Sequence, residues 1–302
     1  MPQKKGPIIT VLVVLGIVVV FLGMVLVVFF SISRTGPRIS FQDQIGVIPI
    51  EGTITSSRQV VSQLVRFRKD RRIKAIILRV NSPGGGVAPS QEIYREVRKT
   101  IATKRVIASM GSLAASGGYY IASAADKIVA NPGTLTGSIG VIMEFVQLEE
   151  LLKKIGIGME VLKSGEFKDI GSPHRKMSDR EKKLLRNLIM DVQEQFVEAV
   201  AQGRHLPVEK VREIADGRIL SGAQSRKLGL VDQLGNFQDA VELAKRMAGI
   251  RGEVRLVYPK KKRVGLLDLI FQNAAHAFYE SLVNAVNPRI EYRSGWPLWE
   301  EY

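Results

Sequence analysis

Cysteine is absent from the 302-residue sequence, and histidine occurs only three times. The absence of cysteine excludes disulfide bridges, zinc–thiolate sites and a cysteine nucleophile. The scarcity of histidine limits histidine-based catalysis to a few positions. His205 and His276 lie in polar surroundings typical of surface residues, which leaves His174 as the candidate for a histidine base.

Residues 8–32 contain no charged side chain. As a helix, these 25 residues would extend about 37 Å, against about 30 Å of bilayer hydrocarbon. No small-x-small cleavage site follows them, so the sequence predicts an uncleaved membrane anchor. Lys4 and Lys5 on one side and Arg34 and Arg38 on the other leave the orientation open. The short leading segment favours a single-pass protein of the cell membrane, with the rest of the chain on the extracytoplasmic side.

The net charge of +15 raises the question of nucleic-acid binding. Basic residues are interleaved with acidic ones in amphipathic segments such as 176–186, and only residues 260–263 form a basic run. No motif that combines aromatic and basic residues accompanies that run. Attraction to anionic lipid headgroups explains the charge more simply, so we expect membrane lipid as a partner and no nucleic acid.

Strand-like and helix-like segments alternate along the chain after residue 44. Residues 74–80 read KAIILRV, with an uninterrupted apolar run at 75–78, typical of a strand buried on both faces of a parallel sheet. Further strands are predicted at residues 138–143 and 159–163, with a helix at 147–154 between them. The alternation indicates an α/β fold with a mostly parallel sheet and flanking helices.

A capping box formed by Ser178 and Glu181 predicts the start of a long amphipathic helix that ends near residue 202. An apolar-rich helix predicted at 266–286 is too polar to span a bilayer, and we expect it on the membrane surface or on a partner subunit. The predicted organisation is a cytoplasmic head (1–7), the anchor (8–32), a linker (33–43), the α/β domain (44–259) and a terminal region with the basic run, the amphipathic helix and an aromatic tail (260–302).

Ser116 lies in a run of small residues between an apolar strand at 105–110 and a helix-like segment. At such a strand-to-helix turn, a serine hydroxyl can act as a nucleophile, and the first helical amides point at the group that it attacks. The serine needs a base, and the sequence offers His174 or Lys168. Lys168 follows a predicted strand among apolar residues and glycine turns, where desolvation can keep a lysine amine uncharged near neutral pH.

The glycine-rich loop at residues 82–86 connects the apolar strand to the next helix. It lacks the spacing of a phosphate-binding loop and of a dinucleotide fingerprint, so no nucleotide cofactor is predicted. Its backbone amides can instead stabilise an oxyanion, with a second amide from Gly117 directly after the candidate nucleophile. Thr134, Thr136 and Ser138 provide hydroxyl groups that can aim an uncharged lysine amine.

Four motifs, NSPGGG, AASGGYYIA, TLTGSIGVI and SGEFKDIGSP, follow one another along the chain. Together they resemble the signal peptide peptidase A family of the short, single-domain bacterial type, over about residues 44–236, and the leading anchor agrees. The resemblance implies the fold shared by Clp-type proteases and crotonases. It also implies a membrane-anchored serine endopeptidase that hydrolyses apolar peptides, such as remnant signal peptides, without a metal or other cofactor.

The same resemblance implies the roles of the candidate residues. Ser116 matches the nucleophile, Lys168 the general base and Ser138 the hydroxyl that orients the lysine. Gly85 and Gly117 match the donors of the oxyanion hole.

Gly84 is the alternative to Gly85 in the oxyanion hole. Proteins of this type assemble into membrane-attached octamers in which a serine and a lysine from neighbouring chains meet. A homo-oligomer, with eight subunits in the form that the resemblance implies, is therefore expected.

Related interpretations fit the residues less well. A Clp-type triad needs a histidine beyond Ser116, where residues 140–143 read GVIM, and a crotonase needs no serine nucleophile. The membrane serine–lysine protease found beside stomatin-like proteins is the nearest alternative. Only the SGEFKDIGSP motif and the single leading anchor favour the signal peptide peptidase A family over it. A catalytically silent membrane scaffold is another, although a scaffold has no reason to keep both Ser116 and Lys168 in intact motifs.

Overall fold

The computed structural model describes residues 6–34, 43–259 and 291–293. The helix predicted at residues 266–286, the basic run at 260–263 and most of the predicted linker and aromatic tail lie outside this described part. The chain divides into two compact units, Met1–Phe41 and Gln42–Tyr302.

The first unit contains helix α1 (Gly6–Arg34), which covers the uncharged segment. Its proline, Pro7, lies in the first turn, where the missing amide breaks no intrahelical hydrogen bond. Side chains are described for residues 14–28 and are exposed, over a length of about 22 Å. Within the described ranges, no helix combines the length and the hydropathy needed to cross a membrane.

The second unit is built on a sheet of eight strands. Ten strands are described in all: β1 (Gln44–Glu51), β2 (Ile73–Ser82), β3 (Gly84–Gly86), β4 (Arg105–Ala115), β5 (Lys127–Ala130), β6 (Leu135–Gly137), β7 (Ile219–Ser221), β8 (Gln233–Leu234), β9 (Arg255–Val257) and β10 (Glu291–Arg293). The main sheet has the order β7–β6–β4–β2–β1–β9, with β5 paired to β4 and to β8. Its described pairs are parallel except β6 with β7, which confirms the mostly parallel sheet.

Eight helices are described in this unit, and they include those that cover the two faces of the sheet. They are α2 (Arg58–Lys69), α3 (Val87–Ile101), α4 (Gly117–Ser123), α5 (Glu149–Lys154), α6 (Asp179–Arg204), α7 (Val208–Arg212), α8 (Gly222–Leu228) and α9 (Phe237–Met247). In β2, Ile76 and Leu78 belong to the larger core with α2, α3, α4 and α6, whereas Ala75 and Ile77 belong to the smaller core with α9. Because both faces are buried, the strand needs an uninterrupted apolar run, as the sequence predicts.

Two predicted strands are wrong. Strand β6 ends at Gly137 because Ser138 has φ of 47°, which is incompatible with continued extended structure. Residues 159–163 form no strand, and Met159 and Leu162 are 60% and 94% exposed. The apolar side chains of this segment are not buried within the single chain. The helix predicted at 147–154 is confirmed in shorter form as α5.

The start of α6 is as predicted. The Ser178 hydroxyl accepts a hydrogen bond from the Glu181 amide at 3.3 Å, and the Ser178 amide donates to Glu181 Oε2 at 2.7 Å. This capping box satisfies two helix-terminal amides. The capping box also fixes the C-terminal end of the segment between α5 and α6, which carries Lys168.

Candidate active site

Ser116 occupies the turn between β4 and α4, at the carboxyl edge of the parallel strands. Its φ of 53° and ψ of −120° lie in a region that residues with a β-carbon rarely adopt. Such a conformation costs about 1–3 kcal/mol and persists where the surrounding fold imposes it, often at functional sites. A strained strand-to-helix turn of this kind is typical of a nucleophilic serine.

Hydrogen bonds on both sides hold this turn in place. The Ser116 amide donates to the Gly137 carbonyl at 2.9 Å, and the Tyr120 amide donates to the Ser116 carbonyl at 2.8 Å. In α4, the Tyr119 hydroxyl donates to the Leu230 carbonyl at 3.0 Å. Burial raises the pKa of Tyr119 well above its usual value, so its hydroxyl stays a neutral donor. The strained backbone is therefore supported from the sheet and from the core.

The Ser116 side chain is fully buried, yet its Oγ has no hydrogen-bond partner in the described part of the chain. Neighbouring hydroxyls are paired: Ser82 Oγ donates to the Gly52 carbonyl and Thr136 Oγ1 to the Ala114 carbonyl, each at 2.6 Å. An unpaired buried hydroxyl costs about 1–3 kcal/mol. Ser116 is thus held without the partner that a structural serine normally has.

The glycine-rich loop is braced by Ile54. The Ile54 amide donates to the Gly84 carbonyl and the Gly86 amide donates to the Ile54 carbonyl, both at 2.8 Å. The Gly84 amide donates to Ser82 Oγ at 3.1 Å. These contacts engage the Gly84 amide and fix the loop against Ile54.

The loop and the start of α4 come into close contact. A β-carbon on Gly117 would lie 3.3 Å from the Gly85 nitrogen and 2.7 Å from Ser90 Oγ. A β-carbon on Gly85, which has φ of 152°, would collide with the backbone of Ile54. Glycine at both positions therefore lets the two amides approach one another beside Ser116, as an oxyanion hole requires.

Ser138 lies next to Ser116 because two parallel strands end side by side. Ala115 of β4 is opposite Gly137 of β6, so Ser116 and Ser138 follow at the same edge. Ser138 is 6% exposed, and its amide donates to the Arg218 carbonyl at 2.8 Å. The structure thus brings Ser138, Gly85 and Gly117 to the turn that carries Ser116.

Lys168 is not part of this cluster in the single chain. It is exposed, in a turn where its amide donates to the Gly165 carbonyl at 3.2 Å. Because Ser116 Oγ has no hydrogen-bond partner among the described residues, it is not bonded to the Lys168 amine within one chain. The desolvated surroundings expected for Lys168 are likewise not found within one chain.

His174 does not serve Ser116 either. The Ser172 hydroxyl lies 2.9 Å from Nδ1 and 2.8 Å from Nε2 of the His174 ring. No hydrogen bond links His174 to Ser116 within the described ranges. The histidine alternative left open by the sequence therefore has no support in the arrangement of the chain.

Two positioning residues of the site were not predicted from the sequence. Ile54 braces the glycine loop through its backbone, so its side-chain type carries no signal. Ser90, in the first turn of α3, donates from Oγ to the Gly86 carbonyl at 2.9 Å and contacts Gly117. A small polar residue shortly after a glycine loop is a weak signal. In the described part of the chain, no three acidic or histidine side chains converge as metal ligands.

The sheet, the strained serine turn and the facing glycine amides define a serine hydrolase with a Clp-protease-like α/β domain. Residues 41–134 match the family model described as Clp protease. Residues 98–251 match the model described as Peptidase family S49. The chain belongs to peptidase family S49, and it is a serine endopeptidase.

Several relatives carry names that agree with this family. A provisionally named protease of Synechocystis sp. is 44% identical over 214 residues, which cover 70% of this chain and 77% of that protein. A provisionally named protease of Methanocaldococcus jannaschii is 37% identical over 215 residues, covering 71% and 69%. A provisionally named signal peptide peptidase SppA of Enterococcus faecium is 41% identical over 187 residues, covering 62% and 54%. The family resemblance carried by the four motifs is confirmed.

Proposed function

We propose that this chain is a membrane-anchored endopeptidase that hydrolyses apolar peptides, such as remnant signal peptides, with a dyad of Ser116 and Lys168 from neighbouring chains. The observation that carries the proposal is the buried, unpaired Ser116 hydroxyl at a strained turn. The base that this hydroxyl lacks within one chain is supplied by the exposed Lys168 of an adjacent copy.

The reaction follows from these positions. The uncharged Lys168 amine, aimed by the Ser138 hydroxyl, takes the proton from Ser116 Oγ as that oxygen attacks the peptide carbonyl. The amides of Gly85 and Gly117 stabilise the tetrahedral oxyanion. Lys168 then returns the proton to the leaving amine. Water, deprotonated by the same lysine, hydrolyses the acyl-enzyme and frees Ser116.

Exposed apolar side chains in the segment that carries Lys168 support the contribution of a second chain. Between β6 and α6, Leu151, Ile155, Met159 and Leu162 are 55%, 59%, 60% and 94% exposed. Large apolar side chains left exposed in one segment are expected where a protein–protein contact covers them. Burying this segment against another copy would remove water from Lys168, and desolvation favours the uncharged amine. A ring of eight copies is the assembly that we propose.

Strand β10 supports an extended peptide as the substrate. It pairs antiparallel with β3, and Tyr292 lies opposite Gly85. The edge of the glycine loop therefore accepts an extended strand through main-chain hydrogen bonds, the usual way in which a sheet edge binds a peptide. A substrate peptide bound along this edge would compete with β10.

Membrane attachment rests on the uncharged residues 8–32, which form one continuous helix within α1. This segment would anchor the chain as a single pass, with the peptidase domain on the extracytoplasmic side. The related stomatin-partner type of membrane protease remains the second candidate, because it would use the same serine–lysine chemistry on a specific apolar membrane segment. A silent scaffold is disfavoured by the strain stored at Ser116.

The test is cleavage of a fluorogenic leucine-rich peptide by the full chain in detergent, with product masses measured. We expect cleavage at an internal peptide bond and slower cleavage of an isosteric peptide rich in aspartate and lysine. No cleavage of either peptide by the assembled wild-type protein would contradict the proposal. Cleavage confined to one membrane-segment sequence would favour the stomatin-partner type.

Gly85→Ala is expected to impair both the fold and the reaction. The added β-carbon meets the Ile54 backbone, and φ of 152° is unfavourable for alanine. We expect the free energy of unfolding to fall by about 2 kcal/mol and kcat/KM for the leucine-rich peptide to fall at least about tenfold. Urea unfolding and peptide hydrolysis measure the two effects.

Gly133→Ala is the matched control, since a β-carbon there meets no atom within 4 Å and φ is not positive. We expect wild-type values from it. Wild-type hydrolysis by Gly85→Ala would exclude the Gly85 amide from the oxyanion hole.

A further inference from the structure

The turn that carries Lys168 is closed by an ion-pair network centred on Arg175. Arg175 Nε donates to Asp169 Oδ2 and Nη2 donates to Asp169 Oδ1, each at 2.8 Å. Asp169 is the residue directly after Lys168. On its other side, Lys163 Nζ lies 2.7 Å from Asp169 Oδ1 and 3.0 Å from the Glu166 carbonyl. The Asp169 carboxylate therefore binds Lys163, which precedes Lys168 in the chain, and Arg175, which follows it.

The same guanidinium connects the turn to α6. Arg175 Nη1 and Nη2 donate to the two carboxylate oxygens of Glu181 at 2.9 and 2.5 Å. Nη1 also donates to the Lys176 carbonyl at 3.2 Å. Glu181 is 2% exposed and is fixed by the Ser178 capping box. All three guanidinium nitrogens donate hydrogen bonds, so Arg175 joins the surface turn that carries Lys168 to the buried start of α6.

We infer that Arg175 is a positioning residue for the general base: it fixes the Lys168 turn against α6 by pairing with Asp169, the next residue along the chain, and with Glu181. This inference rests on the proposed role of Lys168. A side chain at the end of an exposed turn cannot reach a hydroxyl in a neighbouring chain reproducibly unless its backbone is held, and misplacement by about 1 Å can cost about 100-fold in rate. Only arginine offers the planar fork that satisfies both carboxylates at once.

The network stays ionised over the range of ordinary assays. Hydrogen bonding to Arg175, and then to Lys163, holds the pKa of Asp169 well below its usual range. Hydrogen bonding to Arg175 lowers the pKa of Glu181 to about 2. Because both values are lowered, the stability that these carboxylates contribute is present above the ordinary carboxyl range. It is lost only as pH falls toward 2. Above pH 5, a change in the pH–rate profile would not report titration of this network.

Removing Arg175 separates the Lys168 turn from α6. Among the described ion pairs, Asp169 then keeps the one with Lys163, while Glu181 of α6 loses its ion pair. The turn is no longer held against the helix, so we expect the Lys168 amine to reach the neighbouring serine less often. A loss of kcat with little change in KM separates this effect from a general loss of folded protein.

The test compares Arg175→Gln, Arg175→Lys and the control Arg72→Gln in the assembled full chain. Arg72 also forms a two-point contact with an aspartate, Asp70, through Nε at 3.1 Å and Nη2 at 2.8 Å, but it lies in the turn between α2 and β2. For Arg175→Gln we expect kcat to fall about 10- to 100-fold and KM to change less than about twofold. Arg175→Lys should recover part of kcat, and Arg72→Gln should match wild type.

A folded Arg175→Gln with wild-type kcat would overturn the inference. If this variant does not fold, Asp169→Asn is the substitute, since it leaves the pairing of Arg175 with Glu181 intact. We expect the same loss of kcat from it, and wild-type kcat would again overturn the inference. Wild-type activity in Lys168→Ala would instead contradict the proposed function itself, so the two failures are distinguishable.

Discussion

Ser116→Ala is expected to abolish peptide hydrolysis while leaving the fold at least as stable as wild type. Loss of a serine nucleophile removes the covalent pathway, and we expect kcat to fall at least about 10³-fold. Because Ser116 Oγ has no hydrogen-bond partner among the described residues, alanine loses no hydrogen bond and removes a buried unpaired hydroxyl. The backbone strain is similar for serine and alanine. The free energy of unfolding should therefore stay the same or rise, by up to about 3 kcal/mol.

Ser225→Ala is the matched control for this variant. Ser225 is also fully buried, with an Oγ that has no partner in the described part of the chain, but it lies on α8 rather than at the serine turn. Both variants should unfold at the wild-type urea concentration or a higher one, and only Ser116→Ala should lose hydrolysis. Retention of hydrolysis by Ser116→Ala would exclude it as the nucleophile, and a loss of more than about 2 kcal/mol of stability would indicate a structural hydroxyl.

Lys168→Ala and Lys168→Arg are both expected to be inactive. Alanine provides no base, and arginine is always protonated and cannot accept the Ser116 proton. Because Lys168 is exposed in the single chain, neither change should alter the free energy of unfolding by more than about 0.5 kcal/mol. We expect kcat for the leucine-rich peptide to fall at least about 10³-fold in both variants.

Lys227→Ala, which removes an exposed lysine on α8, controls for the change in surface charge. It should hydrolyse the peptide at the wild-type rate. Appreciable hydrolysis by Lys168→Arg would show that a charged side chain suffices at this position. Lys168 would then act electrostatically and not as a base.

The core of the fold could be predicted from the sequence because its signals are local. The apolar run at residues 75–78 is typical of a strand buried on both faces, and the Ser178–Glu181 capping box marks the start of α6. The serine turn was also predictable, since small residues on both sides of Ser116 permit the sharp strand-to-helix connection. Each of these features is determined by residues that are close to one another in the sequence or that belong to the main sheet.

Other features could not be predicted because they depend on contacts that the sequence does not display. Positive φ at Ser138 ends β6 early, although the residues that follow are apolar. Residues 159–163 have the composition of a strand but find no surface to cover within one chain. The brace from Ile54 uses only backbone atoms. In the proposed dyad the base comes from a neighbouring chain, and a single sequence does not specify such a contact.

Mixing of two inactive variants tests the central claim most directly. Ser116→Ala and Lys168→Ala chains are combined in equal amounts under conditions of subunit exchange, and peptide hydrolysis is compared with wild type. A site formed between chains needs an intact serine from one copy and an intact lysine from the next, so random mixing should restore about one quarter of the wild-type activity. Wild type mixed equally with the Ser116→Ala, Lys168→Ala double variant should also give about one quarter, against about one half for sites within single chains. No recovery in the first mixture, with about one half in the second, would contradict the account.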